Sequence, residues 1–182
     1  LWDSGSPFSM LKPLPLNDIL EETDYSEDAL RIKNFLTRQR GMSLELEELM
    51  TILTVIKKTA SNKILEIGTF DGNTALNIAL NIPEEGRVVT IDLPPEGLEK
   101  ETLTGRLQPV EFIKRQFTNT NQEQKIVQVY GDSAKLDWNE LDGPFDLVLI
   151  DGDHSSEYVL NDTQKALSVL KPGGCILWHD YE

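Results

Sequence analysis

From Asn62 onward the chain alternates short apolar runs with amphipathic stretches, a pattern that leaves few folds open. Strands are predicted over 63–67, 88–91, 125–130, 145–150 and 175–178, with helices over 73–81, 110–117 and 156–170. A helix between two strands returns the chain to the start of the next strand, so the strands must run parallel. The runs are apolar throughout rather than alternating, which implies a sheet covered on both faces. The last helix places Val159, Thr163, Ala166, Leu167 and Leu170 on one side, and Lys171-Pro172-Gly173-Gly174 should end it. The expectation is an α/β, doubly wound, mainly parallel sheet.

Residues 1–20 carry Pro7, Pro13 and Pro15 without periodicity and read as an extended arm. Residues 21–61 read as a helical segment packed on a core formed by 62–182, the whole making one domain. Its first helix is predicted from Ser26 to near Gly41. Its second is predicted to be capped by Ser43, with Leu49, Ile52, Leu53 and Ile56 on the buried face. The chain opens on Leu1 and stops at Glu182 directly after a strand, which suggests a longer native chain with the end of the fold missing.

Seventeen basic residues against 31 acidic ones leave a net charge of −14, so nucleic acid is not an expected partner. There is no apolar run long enough to span a membrane, and the first residues lack the pattern of a signal peptide, so no membrane partner and a cytoplasmic location are expected. Cys175 is the only cysteine, which excludes an intrachain disulfide and a thiolate metal cluster. A homo-oligomer remains open.

In doubly wound sheets the ligand lies beyond the carboxyl ends of the strands, so the residues that close each strand carry the chemistry. The first strand closes with Glu66-Ile67-Gly68-Thr69-Phe70-Asp71-Gly72-Asn73-Thr74, where Gly68 and Gly72 allow a tight turn before a helix. The second closes with Asp92, at the distance where nucleotide-binding βαβ units place a ribose-binding acid. The third leads into Gly131-Asp132-Ser133, and the fourth closes with Asp151-Gly152-Asp153-His154. Four successive strands thus end in a carboxylate or lead straight to one.

These motifs resemble class I S-adenosylmethionine-dependent methyltransferases, particularly the O-methyltransferase-like branch with an Asp-Gly-x-His signature, over roughly Lys63 to Tyr181. The resemblance implies a Rossmann-like methyltransferase fold, truncated before its last two strands. It also implies that the loop bearing Glu66, Gly68, Thr69, Phe70, Gly72 and Thr74 wraps the methionine part of S-adenosylmethionine, with Asp151 also at the cofactor. By the same resemblance Asp92 takes the ribose hydroxyls, and Asp132 and Ser133 lie beside the adenine. The commoner methyltransferase loop has glycine where Phe70 stands here.

Methyl transfer is an in-line displacement, so a hydroxyl acceptor needs positioning and help with its proton. His154 is the candidate base, with Asp151 beside it. The resemblance also places a divalent cation, Mg²⁺ or another, at Asp151, Asp180 and His179, although imidazole suits softer metals than Mg²⁺. Trp138, Trp178, Tyr158 and Tyr181 read as core. The expected partner is a small-molecule methyl acceptor. The competing readings are an NAD-dependent oxidoreductase, whose G-x-G-x-x-G spacing Gly68 and Gly72 do not meet, and a non-catalytic Rossmann-like binding module.

Overall fold

The computed structural model of the protein describes residues 30–35, 43–94 and 115–180. Strands β1 (Lys63–Ile67), β2 (Arg87–Asp92), β3 (Ile126–Tyr130), β4 (Phe145–Ile150) and β5 (Leu170–Trp178) form one sheet in the order β3-β2-β1-β4-β5. Every neighbouring pair is parallel. The helices are α1 (Leu46–Lys58), α2 (Asn73–Asn81) and α3 (Ser156–Val169). This is the doubly wound architecture expected of the alternating pattern. No further strand beyond β5 occurs among the described residues.

The sheet has two buried faces because side chains alternate along each strand. Ile64, Val88, Leu147 and Leu149 pack with α1 and α2. Leu65, Ile67, Val89, Ile91 and Val148 pack on the other side with Ala166 and Val169 of α3. Crossovers leave β1 and β4 in opposite directions along the sheet, and right-handedness then puts α2 and α3 on opposite faces. Trp138 and Tyr158 are buried, as expected of core aromatics, whereas Tyr181 lies outside the described residues.

The helix predicted from Ser26 to Gly41 is not formed where it is described. Residues 30–33 have no helical structure, and a bend follows at Asn34. The reason is a ladder of asparagines one helical turn apart on α2. Asn77 Oδ1 accepts the Lys33 N–H at 2.8 Å and Asn77 Nδ2 donates to the Lys33 carbonyl at 3.2 Å. Asn81 makes the same pair with Arg31 at 2.9 and 2.8 Å, and Asn73 Nδ2 donates to the Asn34 carbonyl at 3.3 Å. These amides supply the partners that a helix would have supplied internally.

Three smaller differences have local causes. α1 is capped at Glu45, whose N–H donates to Glu48 Oε2 at 2.6 Å, while Ser43 Oγ instead lies 3.4 Å from Asp71 Oδ2. β5 begins at Leu170, paired with Phe145, and resumes register at Cys175 opposite Leu147. Lys171–Gly174 is therefore a bulge, held by Lys171 Nζ on Asp146 Oδ1 at 2.6 Å. Of the helix predicted over 110–117, residue 115 is irregular and 116–117 form a turn, while 110–114, like the arm 1–20, lie outside the described residues.

The ladder yields a prediction. Asn77 is wholly buried, and Asn77→Ala leaves the Lys33 backbone groups without partners, costing about 2–3 kcal/mol. Amide exchange at Arg31 and Lys33 should accelerate in that variant while exchange in β1 and β4 scales only with global stability.

Candidate functional site

The strand tips end on one line because residues just beyond them donate to carbonyls of the neighbouring strand. Gly68 N–H bonds the Ile91 carbonyl at 2.9 Å, Gly131 N–H that of Asp92 at 2.8 Å, Asp151 N–H that of Ile67 at 2.9 Å and His179 N–H that of Ile150 at 3.0 Å. The strand order reverses between β1 and β4, the switch point beside which doubly wound sheets hold a ligand in a crevice. Gly68 has φ +98°, and a Cβ there would lie 2.0 Å from the Asp151 carbonyl oxygen. The residue must be glycine because the β4 loop, not a ligand, occupies that space. Phe70 has φ +45°, the left-handed conformation that glycine adopts freely, which accounts for glycine at this position in the commoner loop.

Glu66 lies on the α1/α2 side of β1 and is 1% exposed. Thr90 Oγ1 donates to its Oε2 and contacts Thr69 Oγ1 at 2.6 Å, while Gln128 Nε2 donates to Thr69 Oγ1 at 3.0 Å. Glu66 Oε1 is buried and has no hydrogen-bond partner among the described residues. Burial, reinforced by the charges of Asp151 and Asp92, raises its pKa to about 8. A cationic or hydrogen-donating ligand at the crevice would satisfy that oxygen.

Asp92 closes β2. Its Oδ2 accepts the Phe70 N–H at 3.0 Å and Arg115 Nη2 at 2.8 Å, and its Oδ1 accepts the Leu93 N–H at 2.8 Å. Burial pushes its pKa up, and the Arg115 guanidinium holds it back. A carboxylate has about four acceptor positions, so Asp92 retains capacity for a ligand hydroxyl. Arg115 escaped the sequence reading, because nothing in the sequence places it 2.8 Å from a residue 23 positions away.

The third tip is held by contacts to its own loop and to α3. Asp132 accepts Tyr158 Oη at 3.1 Å and Lys135 Nζ at 2.9 Å. Ser133 Oγ donates to Asp162 Oδ2 of α3 at 3.1 Å, and Lys165 Nζ clamps the carbonyls of Ser133, Ala134 and Leu136 at 2.7, 2.7 and 2.8 Å. The Ser133 hydroxyl therefore points to a structural role. Thr74 lies in the first turn of α2.

Across the crevice, Asp151 Oδ1 lies 2.8 Å from His179 Nδ1 and 3.6 Å from His154 Nε2. Asp180 Oδ2 lies 3.3 Å from His154 Nδ1, and Glu48 Oε1 lies 3.2 Å from His179 Nε2. Burial raises the Asp151 pKa. Burial alone would lower that of His179, but Asp151, Asp180 and Glu48 hold it above its ordinary value. Donor atoms gather within 4.8 Å in two overlapping sets, Asp151/His154/His179 and Glu48/His179/Asp180. The expected metal set of Asp151, Asp180 and His179 is thus split, with His154 taking the place of Asp180 beside Asp151. Two imidazoles to one carboxylate do not fit Mg²⁺, which demands oxygen ligands. A cleft of about 710 Å³, lined by Glu48, Ile52, Leu177 and Trp178, opens beside His179 and Asp180.

Residues 65–181 match the family model described as a methyltransferase domain. The chain is similar to catechol O-methyltransferase domain-containing protein 1 of Mus musculus, 26% identical over 166 residues that cover 87% of this chain and 58% of that protein. It is also similar to the flavonoid 3′,5′-methyltransferase of Vitis vinifera, 27% identical over 143 residues, covering 75% and 54%. It spans little more than half the length of these curated relatives. An O-methyltransferase from Bacillus cereus in complex with S-adenosylhomocysteine superposes with a TM-score of 0.59 at 21% identity, over 94% of this chain and 69% of that one.

Two predictions follow from the buried acids. Folded Glu66 keeps a proton that the unfolded chain releases above about pH 4.5, so this stabilising difference is lost as pH rises through about 8. Glu66→Gln should therefore gain stability relative to the parent between about pH 5 and about pH 9 in urea melts; a constant difference would refute this. Arg115→Met should weaken S-adenosylhomocysteine binding by about tenfold in calorimetric titration, because Asp92 then loses the guanidinium that orients its carboxylate. With the family model covering residues 65–181, most of the chain, the chain belongs to the methyltransferase-domain family.

Proposed function

We propose that this domain transfers a methyl group from S-adenosylmethionine to a hydroxyl of a small-molecule acceptor. The observation that carries the reading is the buried, unpartnered Glu66 Oε1 in the same crevice as Asp92 and Asp151. Bound there, the cofactor supplies an electrophilic methyl group on a sulfonium. Glu66 and the β1 loop suit its aminoacyl end, whereas Asp92, oriented by Phe70 N–H and Arg115, suits its ribose hydroxyls. The C–S bond breaks as the C–O bond forms, and the acceptor hydroxyl gives up its proton. Asp151, His154 and His179 are the groups placed to take up or offset that proton.

The cleft beside His179 supports an acceptor with an apolar body and a polar edge, because its walls combine Ile52, Leu177 and Trp178 with Glu48. The names of the relatives, which include flavonoid and caffeoyl-CoA methyltransferases, favour a hydroxylated aromatic. A net charge of −14 argues against a nucleic-acid acceptor. No helix among the described residues is long and apolar enough to cross a membrane. We place the domain in the cytoplasm as part of this proposal.

Calorimetric titration with S-adenosylhomocysteine and with NAD tests the cofactor assignment. Binding of S-adenosylhomocysteine, weakened by about tenfold or more in Asp92→Asn, is the expected result. Binding of NAD alone would favour the oxidoreductase reading, and binding of neither would favour a non-catalytic module.

A further inference from the structure

The cluster at the β4 and β5 tips has a donor composition that its family's Mg²⁺ site does not explain. Asp151 Oδ1 sits between two imidazole nitrogens, His179 Nδ1 at 2.8 Å and His154 Nε2 at 3.6 Å. Donors sharing one tetrahedral ion at bond lengths of about 2.0–2.1 Å lie roughly 3.3 Å apart, so these separations suit ligands that close on a common centre. A second observation is independent of the spacing. Both ring nitrogens of His179 are buried, yet neither meets hydrogen-bond geometry with any partner. The 2.8 Å approach of His179 Nδ1 to Asp151 is an ion-pair distance, short enough for the two groups to share one cation.

The groups behind the cluster complete the pattern. A metal-bound histidine donates its other ring N–H to a carboxylate or carbonyl, which fixes its tautomer. If His154 binds through Nε2, its Nδ1 faces Asp180 Oδ2 at 3.3 Å. If His179 binds through Nδ1, its Nε2 lies within ion-pair distance of Glu48 Oε1 at 3.2 Å and Asp180 Oδ1 at 3.5 Å, close enough for either carboxylate to take its N–H once the ring is ligated. Each histidine thus has one nitrogen near Asp151 and a second carboxylate beside its other nitrogen. The ring planes are inclined at 69° with centroids 5.9 Å apart, so the two imidazoles approach the shared space from different directions.

We infer that Asp151, His154 and His179 form a two-histidine, one-carboxylate site for a first-row transition ion, with Asp180 and Glu48 as its outer shell, in place of an Mg²⁺ site. Such a donor set leaves coordination positions open for a substrate oxygen. The ion would act as a Lewis acid on the acceptor hydroxyl, a role that rests on the proposed methyl transfer, whereas ion binding itself does not. His154 then serves as a ligand rather than as a free base.

Cobalt(II) is the probe, because its visible absorption reports coordination directly. The chain, prepared without a histidine tag, is titrated with Co²⁺ and with Mg²⁺, and the spectrum is followed. One equivalent of Co²⁺ with a d–d spectrum characteristic of mixed nitrogen and oxygen ligands is expected. Tight binding by itself would not decide, since most sites rank transition ions above Mg²⁺. His154→Gln and His179→Gln should each lower Co²⁺ affinity by at least about tenfold and change the spectrum, and Glu48→Gln should lower affinity by about 10- to 100-fold. Circular dichroism melts and S-adenosylhomocysteine titration of each variant check folding and the cofactor site. Unchanged affinity and spectrum in His154→Gln, Mg²⁺ binding as tight as Co²⁺, or absence of stoichiometric Co²⁺ binding would each overturn the site. Loss of S-adenosylhomocysteine binding in the parent chain would instead defeat the methyltransferase reading.

Discussion

The close approach of two backbones at the β1–β4 junction is the constraint on which the site depends. Asp151 N–H bonds the Ile67 carbonyl, and the Gly68 α-carbon lies against the Asp151 carbonyl so tightly that a side chain would sit 2.0 Å from its oxygen. That contact brings the first residue of the β4 loop against the first residue of the β1 loop at the point where the strand order reverses. Glu66 consequently feels the charge of Asp151, although the two are 85 positions apart (66 to 151). Every acid of the crevice is placed relative to that junction.

Gathering so many carboxylates on the rim of a buried sheet is costly, and the surrounding chain offsets the cost differently at each one. Glu66 stays protonated up to about pH 8 and is held by Thr90, which the Thr69 and Gln128 contacts fix in turn. Asp92 is balanced by a guanidinium. Asp162, pushed by burial to about 6, lies behind the site and takes the Ser133 hydroxyl. Asp151 is faced by two imidazoles. The charge-bearing rim is therefore a set of separately compensated acids, each tuned by its own partner.

The same logic governs the N-terminal segment. Arg31, Lys33 and Asn34 hydrogen-bond to amide side chains on α2, so this segment is tied to the helix that follows the β1 loop. α1 contributes Glu48 to the metal-like cluster at one end and a core face of Leu49, Leu53 and Ile56 along its length. The N-terminal region is thereby part of both the hydrophobic core and the chemistry.

Local pattern determined a great deal. The five apolar runs, the helices over 73–81 and 156–169 and the acids near the strand tips were legible because burial on both faces and helical periodicity are written into neighbouring residues. The row Glu66, Asp92, Asp132 and Asp151 could be read for the same reason, since a strand's last residue marks a place in a parallel sheet. Tertiary structure decided what each acid does. Arg115 reaches Asp92 across 23 positions, Ser133 turns to Asp162, and His154 displaces Asp180 as the neighbour of Asp151. It also kept residues 30–34 of the helix expected at 26–41 out of helical form, because Asn77 and Asn81 offered that backbone better-placed partners. A periodic pattern records which side of an element is buried, but a polar side chain's partner is chosen by which distant groups the packed fold brings within about 3 Å of it.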